Sequence, residues 1–274
     1  MWHLPLWRSA HRVDLRPTTG YVLGVNSLRV LVTNDDGIDS PGLIALARCA
    51  VELGHDTIIA APRVEASGTG AGLTASAGNR RAAVARRTIE ELPGVPAYAV
   101  DAHPGLIAMV ACRGGFGELP DLVLSGINRG PNIGRAVIHS GTVGAALTAH
   151  INGVTALAVS LGVGFDPEEP ALWEVVDPYV KDVLGFIEPG TVLNLNVPNQ
   201  PDPGPLRWAT LTAYGRVQSR VTHQDDDVIE MTAVILDAEV EPDSDAALLE
   251  AGYATVTELR SVSAVERPRA TPPR

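Results

Sequence analysis

The apolar residues of the central part of the chain alternate between short continuous runs and longer stretches with helical spacing. The run at 28–33 is rich in branched residues and stops at Asn34-Asp35-Asp36-Gly37, which predicts a buried strand followed by a turn. Residues 40–54 have apolar positions at helical spacing, with serine and proline first and glycine last, so we expect a helix. The run at 56–61 predicts a second strand. A strand, a helix and a strand in this order favour a parallel sheet with right-handed crossovers.

The same alternation of elements continues along the chain. We predict further strands at 95–101, 121–125, 154–160 and 191–197, and helices at 105–112, 140–151 and 168–187. Residues 62–94 are dominated by glycine, alanine, serine and arginine, so we expect a long loop with some irregular pairing. The predicted fold class is α/β, with a Rossmann-like, mostly parallel sheet and helices on both faces over residues 28–200.

The chain changes character after Pro198, where closely spaced prolines predict a linker. Beyond the linker we predict strands at 206–213, 227–236 and 253–259 and a short helix at 245–251. We interpret residues 201–262 as a β-rich C-terminal extension of the domain at 28–200. Residues 1–27 are expected to form a poorly ordered N-terminal extension, and residues 263–274 a disordered, proline-rich tail.

Composition and charge limit the function classes. Of the 274 residues, 45% are hydrophobic and 19% are charged, which is enough apolar material for a buried core. The net charge of −11 disfavours binding to a DNA or RNA duplex. Ten acidic residues lie within 221–250, where no lysine or arginine occurs, so the remaining chain is close to neutral, with 22 acidic and 21 basic residues. A small phosphate ester therefore stays open as a substrate.

The two cysteines, Cys49 and Cys112, lie in apolar stretches without metal-ligand spacing, so we expect buried free thiols rather than a disulfide scaffold. No apolar run approaches the roughly 18 residues that a membrane span needs. Residues 1–27 lack the continuous apolar segment of a signal peptide. We therefore expect a cytoplasmic protein without a membrane partner.

Three polar segments follow predicted strands. They are Asn34–Gly37 after the first strand, Ser67–Gly70 after the second, and Ser125–Asn132 at the end of the strand at 121–125. In an open parallel sheet, ligands bind beyond the carboxyl ends of the strands. Each segment alone is compatible with ordinary turn chemistry, but their convergence at one sheet edge favours a functional site.

Two adjacent carboxylates at a strand end repel each other unless a cation lies between them. Together with neutral oxygens from the other two segments they would form an all-oxygen ligand set, consisting of Asp35, Asp36, Ser67 and Asn128. Such a set favours Mg²⁺ or Mn²⁺ over Zn²⁺. We expect one divalent ion in each subunit.

The segment Ser140-Gly141-Thr142 opens the predicted helix at 140–151. Its free backbone N–H groups and two hydroxyls form a candidate phosphate cradle, although an ordinary helix cap would have the same sequence. His139 directly precedes this helix. His103 precedes a proline and is expected to be a loop and capping residue. Either histidine could approach the site.

Other enzyme classes find less support. The glycine spacing G-x-G-x-x-G is absent after the first strand and at 126–130, which disfavours a nicotinamide-binding Rossmann domain. There is no G-x-S-x-G segment, so a serine hydrolase also has little support. A Rossmann-like transferase remains a weaker alternative.

Taken together, the motifs resemble those of the SurE survival-protein family. They are Val30–Ile38 with NDDG, Ala61–Gly68, Ser125–Gly134 with SGIN-x-GPN, and Ser140–Val143 with SGTV, and the resemblance runs in the same order from Leu28 to Leu259. It implies a metal-dependent phosphatase acting mainly on nucleoside 5′- and 3′-monophosphates, with short polyphosphate as a further substrate of some members. It also implies a Rossmann-like domain with a C-terminal extension that exchanges between subunits in homodimers or homotetramers.

The resemblance assigns roles residue by residue. It implies that Asp35, Asp36, Ser67 and Asn128 are the metal ligands, and that Asn132, Ser140, Gly141 and Thr142 contact phosphate. Asp35 and Asp36 are the catalytic candidates. We expect one of them, Asp35 in preference to Asp36, to orient or deprotonate the attacking water.

The chain also departs from the family pattern. Arg63 stands where many members have Asp, Ala66 stands where many have Arg or Gln, and Arg135-Ala136 replaces an acidic pair. His103 opens a helix where many members have Thr-Pro-x-Asp-Cys-Val. We therefore take His103, Arg135 and His139 as candidate substrate-pocket residues. The alternative hypothesis is a nucleotide- or sugar-phosphate-binding protein with little turnover.

Overall fold

The computed structural model describes residues 27–75, 81–164, 166, 168–213, 217–224, 229–235 and 240–263. The predictions for residues 1–26 and for the tail beyond 263 lie outside these described residues. The strands are β1 Arg29–Thr33, β2 Asp56–Pro62, β3 Val84–Arg87, β4 Ala97–Val100, β5 Leu122–Arg129, β6 Thr155–Gly162, β7 Val192–Pro198, β8 Gly204–Trp208, β9 Val217–Gln224, β10 Ile229–Ile235 and β11 Tyr253–Leu259. The helices are α1 Pro41–Glu52, α2 Pro104–Ala111, α3 Gly141–Ile151, α4 Asp177–Phe186 and α5 Asp245–Glu250.

Nine of these strands form one sheet, in the order β3-β4-β2-β1-β5-β6-β7-β11-β8. The six strands from β4 to β7 are mutually parallel, whereas β3 pairs antiparallel to β4 and β11 pairs antiparallel to β7. The fold is therefore α/β with a mostly parallel sheet, as predicted from the sequence. Because the chain moves from β1 to β2 on one side and later to β5 on the other, the strand order reverses at β1. Parallel sheets of this kind bind ligands at that reversal.

Helices cover both faces of the sheet, which confirms the predicted layers. One core packs α1 and α4 against the sheet, with Leu46 and Val180 among its buried residues. The other core packs α2 and α3 against the opposite face, with Ile107 and Val143 among its buried residues. Strand β1 contributes alternate residues to the two cores, so its continuous apolar run reflects burial on both sides.

Several elements differ in extent from the sequence prediction. Strand β5 continues beyond its predicted end at residue 125 into the polar segment, as far as Arg129, with a shift of register between Ser125 and Asn128. The predicted helix at 168–187 is a 3₁₀ turn at Trp173–Val176 followed by α4. Strand β3 lies within the predicted loop at 62–94, and β9 was not predicted.

The C-terminal segment divides between two sheets. Strands β8 and β11 complete the main sheet, whereas β9 and β10 pair only with each other in a separate two-stranded sheet. The boundary predicted at residue 200 therefore does not coincide with an edge of the main sheet. Exchange of this segment between subunits stays a prediction.

Candidate metal centre

The reversal of strand order brings three loops to one cleft. Asp35 and Asp36 lie in the turn after β1, Ser67 lies in the loop after β2, and Asn128 lies near the end of β5. All four predicted ligands line a cleft of about 360 Å³, together with Glu65, Gly68, Arg129, Asn132 and Ser140. Side chains separated by almost one hundred positions in sequence are thus neighbours because their strands are neighbours.

Asp35 is held at the N-terminus of α3. Its side chain is 3% exposed, and its Oδ1 accepts a hydrogen bond from the hydroxyl of Thr142. Burial raises the pKa of Asp35, while the Thr142 hydroxyl and the backbone N–H groups of Thr142 and Gly141 lower it. A helix N-terminus carries partial positive charge, so it stabilises this buried carboxylate.

Asp36 is partly buried and lies nearer to solvent than Asp35. Burial and then the neighbouring charge of Asp35 raise the pKa of Asp36 to about 6, although a hydrogen bond from the Arg129 backbone N–H opposes the shift. That N–H lies 3.4 Å from Asp36 Oδ2. The carboxylate pair is therefore unfavourable at neutral pH without a compensating cation.

The two neutral candidate ligands present oxygen lone pairs. Asn128 donates from Nδ2 to the carbonyl of Gly130 at 2.7 Å, which leaves its Oδ1 facing the Thr142 hydroxyl at 3.3 Å. A hydroxyl has one hydrogen, and that of Thr142 goes to the closer Asp35, so Asn128 Oδ1 remains available. Ser67 donates to Glu65 Oε1 at 2.7 Å, so its own lone pairs remain available as well.

This donor set fits a hard divalent cation. No group of three or more His, Cys, Asp or Glu side chains that could hold a metal occurs within the described ranges. The site instead combines two carboxylates with a hydroxyl and an amide oxygen, which suits Mg²⁺ or Mn²⁺ and not Zn²⁺. The mutual repulsion of Asp35 and Asp36 supplies a physical reason for the ion to bind.

The candidate phosphate contacts divide into two pairs. Asn132 and Ser140 line the cleft. Thr142 is fully buried and bonds Asp35, and a Cβ added at Gly141 would lie 2.7 Å from Asp35 Oδ2. This arrangement differs from the predicted phosphate cradle, because the Asp35 carboxylate already lies at the N-terminus of α3.

Comparison with known proteins bears directly on these motifs. The family model described as Survival protein SurE matches residues 30–220. The chain belongs to the SurE family. The matched segment contains all four candidate ligands and both cleft-lining phosphate contacts.

Individual SurE relatives are similar to the chain over more than two thirds of its length. The chain is 39% identical over 189 residues to the 5′-nucleotidase SurE of Parasynechococcus marenigrum strain WH8102, covering 68% of this chain and 70% of the relative. It is 35% identical over 243 residues to the 5′-nucleotidase SurE of Solidesulfovibrio magneticus, covering 85% of this chain and 91% of the relative. The crystal structure of the SurE protein from Aquifex aeolicus superposes with a TM-score of 0.69 at 28% identity, covering 84% of this chain and 92% of that one.

The three candidate pocket residues occupy different places. His103 lines a second cleft of about 490 Å³ that shares Glu65 and Ser67 with the first. Arg135 and His139 are exposed and line neither of these two clefts. The second cleft departs from the SurE pattern described above, because Arg63 forms one wall.

Sequence reasoning missed three polar residues of the clefts. Glu65 lines both clefts, Arg129 lines the first, and Asp101 lines the second, where its Oδ1 accepts from Arg63 Nε at 2.5 Å. Glu65 could have been identified from the sequence, since it lies two positions before the candidate ligand Ser67. The pairing of residues 63 and 101 depends on how β2 and β4 align, which no local pattern reveals.

No helix in the described part of the chain is long and apolar enough to cross a membrane.

Cys49 is buried and Cys112 is partly buried, and both are free thiols. Burial raises the pKa of Cys49 to about 12 and that of Cys112 to about 11, so both remain protonated at neutral pH.

We expect divalent-ion affinity to fall as the pH decreases through about 6. Only the charged form of Asp36 could serve as the predicted ligand, and its raised pKa of about 6 means that protons would compete with the ion below that value. Affinity is full above this pH and decreases by about tenfold per pH unit below it if one proton is displaced. Calorimetric titration with Mn²⁺ at several pH values measures the effect.

The Asp36→Asn variant is the control for this titration, because it cannot take up the competing proton. Its Mn²⁺ affinity is expected to be weaker at neutral pH and nearly independent of pH around 6. An inflection near pH 6 that persists in Asp36→Asn would show that another group is responsible.

Proposed function

We propose that the chain is a divalent-metal-dependent 5′-nucleotidase, which hydrolyses nucleoside monophosphates to nucleoside and phosphate. The observation that carries the proposal is the single cleft in which Asp35, Asp36, Ser67 and Asn128 meet Asn132 and Ser140. The SurE relatives reported above bear the name 5′-nucleotidase, which supports the substrate class. The proposal extends to nucleoside 3′-monophosphates and short-chain polyphosphate, because the residues assigned to this cleft would contact only the terminal phosphoryl group.

The four candidate ligands would hold one Mg²⁺ or Mn²⁺ ion. Such an ion supplies Lewis-acid stabilisation of the phosphoryl oxygens and lowers the pKa of a bound water. We assign Asn132 and Ser140 to the non-bridging oxygens of the phosphoryl group, where hydrogen-bond donors stabilise developing negative charge.

Asp35 orients or deprotonates the attacking water in this proposal. Its raised pKa makes the carboxylate a stronger base than an exposed aspartate. The Thr142 hydroxyl and the N-terminus of α3 fix its position before substrate arrives. Orientation that is set in advance lowers the entropy lost on reaching the transition state.

The second cleft is the proposed location of the nucleoside. It adjoins the metal site through Glu65 and Ser67, and its volume of about 490 Å³ is in the range of small-molecule pockets. Arg63 forms one wall, and its planar guanidinium can stack on a base while its Nε remains bonded to Asp101.

We expect Arg63→Ala to raise the KM for nucleoside monophosphates by roughly tenfold, the equivalent of about 1.4 kcal/mol, as the loss of one stacking contact with the base predicts. The kcat/KM for a small aryl phosphate should change little, because that substrate does not fill the second cleft. Steady-state kinetics with both substrates measures the difference.

Arg87→Ala is the matched control for Arg63→Ala. Arg87 also pairs with an aspartate, Asp39, and its side chain is 43% exposed compared with 42% for Arg63, but it lines neither cleft. Equal effects of the two variants on nucleotide KM would contradict a nucleoside site beside Arg63.

The experiment that tests the function is a substrate and metal panel. Phosphate release from nucleoside 5′- and 3′-monophosphates and from an aryl phosphate is measured with Mg²⁺, with Mn²⁺ and with EDTA. We expect release only with a divalent ion, and most rapidly from nucleoside 5′-monophosphates. Binding of nucleotides without phosphate release under every metal condition would instead indicate a binding protein.

That alternative has less support than the enzyme. One of its motivations was Arg135, which is exposed and lies outside the lining of the metal cleft.

We further propose a cytoplasmic homodimer or homotetramer. The free cysteines are in keeping with a reducing compartment. The separate β9–β10 sheet is in keeping with a segment that reaches another subunit.

A further inference from the structure

The loop that follows β5 carries Asn132 and is anchored at short intervals. Gly130 donates its N–H to the carbonyl of Leu161 at 2.9 Å. Two buried asparagines of β7 then fix residue 132: its N–H donates to Asn196 Oδ1 at 2.8 Å, and its carbonyl accepts from Asn194 and Asn196. The first half of the loop is therefore secured by the sheet beneath it.

The second half of the loop is secured by a residue more than one hundred positions away. Asp245, the first residue of α5, is completely buried. Its Oδ2 accepts from the Gly134 N–H at 2.7 Å, while its Oδ1 accepts from the N–H groups of Thr212 at 3.0 Å and Ala246 at 2.8 Å. One carboxylate thus joins three chain segments.

The contact between the loop and Thr212 is also close-packed. Arg135 donates its N–H to the Thr212 carbonyl at 3.2 Å. Gly134 has a φ of +62°, and a Cβ at this position would lie 2.7 Å from Thr212 Cγ2. A displaced loop would therefore lose several contacts together.

A carboxylate is required at position 245 because all of its partners are donors. Three backbone N–H groups point at its two oxygens. An asparagine would place its own NH₂ group against at least one of those N–H groups, leaving buried donors without an acceptor. Burial raises the pKa of Asp245, and its hydrogen bonds from these N–H groups oppose that shift.

We infer that Asp245 is a positioning residue, which fixes the second half of the Gly130–Arg135 loop at Gly134 and so completes the anchoring that Asn194 and Asn196 begin, with Asn132 facing the phosphoryl group. This inference rests on the proposed function for the role of Asn132. The loop carries a candidate phosphate contact, whereas all four candidate metal ligands lie outside Gly130–Arg135. Loss of the Asp245 contact is therefore expected to weaken phosphate binding far more than metal binding.

The test compares Asp245→Asn with Ser244→Ala. Ser244 caps the same helix by accepting from the Ala247 N–H at 3.3 Å, so its loss destabilises α5 without touching the loop. For Asp245→Asn we expect faster hydrogen exchange of the loop amides and, from one lost charge-assisted contact, about a tenfold weaker affinity for inorganic phosphate. Its Mn²⁺ affinity stays within about twofold of wild type, a change worth less than ~0.5 kcal/mol.

Ser244→Ala is expected to leave loop exchange and phosphate affinity unchanged. Equal effects of the two variants, or unchanged loop exchange in Asp245→Asn, would overturn the inference. Hydrogen exchange and calorimetric binding of inorganic phosphate are both measured without turnover. A wild-type protein that binds phosphate but releases no phosphate from any substrate would therefore refute the proposed function and leave this inference standing.

A second measurement covers the case in which Asp245→Asn does not fold. In the wild-type protein, the amides of Gly134 and Thr212 share the Asp245 carboxylate and should open with the same free energy in native-state hydrogen exchange. A Gly134 amide that exchanges at a much lower free energy than that of Thr212 would contradict the inference.

Discussion

Replacing Asp35 by asparagine is expected to lower phosphatase kcat by at least about a thousandfold, the equivalent of roughly 4 kcal/mol of transition-state stabilisation. The substitution removes a negative ligand and the proposed base together. An asparagine also turns its NH₂ group toward the Thr142 hydroxyl or toward the N–H groups of α3, all of which now donate to the carboxylate. Phosphate release with saturating Mn²⁺ measures the loss.

Circular dichroism and thermal unfolding establish that the Asp35→Asn variant remains folded. We expect its unfolding temperature without metal to be close to that of wild type, because removing one charge also relieves the repulsion that raises the pKa of Asp36. Asp39→Asn is the matched control, since Asp39 is four positions away, exposed and paired with Arg87. Full activity of Asp35→Asn with added Mn²⁺ would refute the assignment.

Gly141→Ala is expected to lower activity by about a hundredfold without removing any polar group, because misplacement of a reacting group by about 1 Å has an effect of this size. A Cβ at this position would lie 2.7 Å from Asp35 Oδ2 and 2.8 Å from Asp35 Cβ. Neither atom can retreat freely, since Asp35 is buried and bonded to Thr142. The new methyl group must therefore push the carboxylate or α3 out of place.

Gly185→Ala separates this steric effect from the general effect of alanine in a helix. Gly185 lies in α4, and a Cβ there would meet no described atom within 4 Å. Alanine is better than glycine in a helix by roughly 0.5–1 kcal/mol, so this variant should be slightly more stable and fully active. An active Gly141→Ala enzyme with normal Mn²⁺ affinity would show that Asp35 tolerates displacement.

The parallel core of the fold was predictable because its signals are local. Strands buried on both faces read as continuous apolar runs, and β1, β2 and β6 have this character. Strands without a buried face give no such signal. Strand β3 is an edge strand with Val84 exposed, and in β9 the residues Thr222 and His223 are exposed. The pairing of β8 and β11 with the main sheet joins distant segments, which periodicity cannot reveal.

The candidate ligands were predictable for a related reason. Residues beyond the carboxyl ends of parallel strands share one edge of the sheet, so Asp35 and Asn128 could be assigned to the same edge, while the structure adds that β1 and β5 are neighbours. The partner of Asp35 could not be predicted in this way. A Ser-Gly-Thr helix start signals an anion site, but only the three-dimensional placement of the α3 N-terminus beside the turn after β1 decides that the anion is the Asp35 carboxylate. Asp245 is one of ten acidic residues within 221–250 and has no local signal of burial, whereas it is completely buried in the structure.

The position of β11 between β7 and β8 has a consequence for the synthesis of the protein. When β8 emerges from the ribosome, its place in the sheet is separated from β7 by a gap one strand wide. That gap closes only when residues 253–259 arrive and pair with both neighbours. Until then the nascent chain has an unpaired strand edge on β7, which a chaperone or a second nascent chain can occupy.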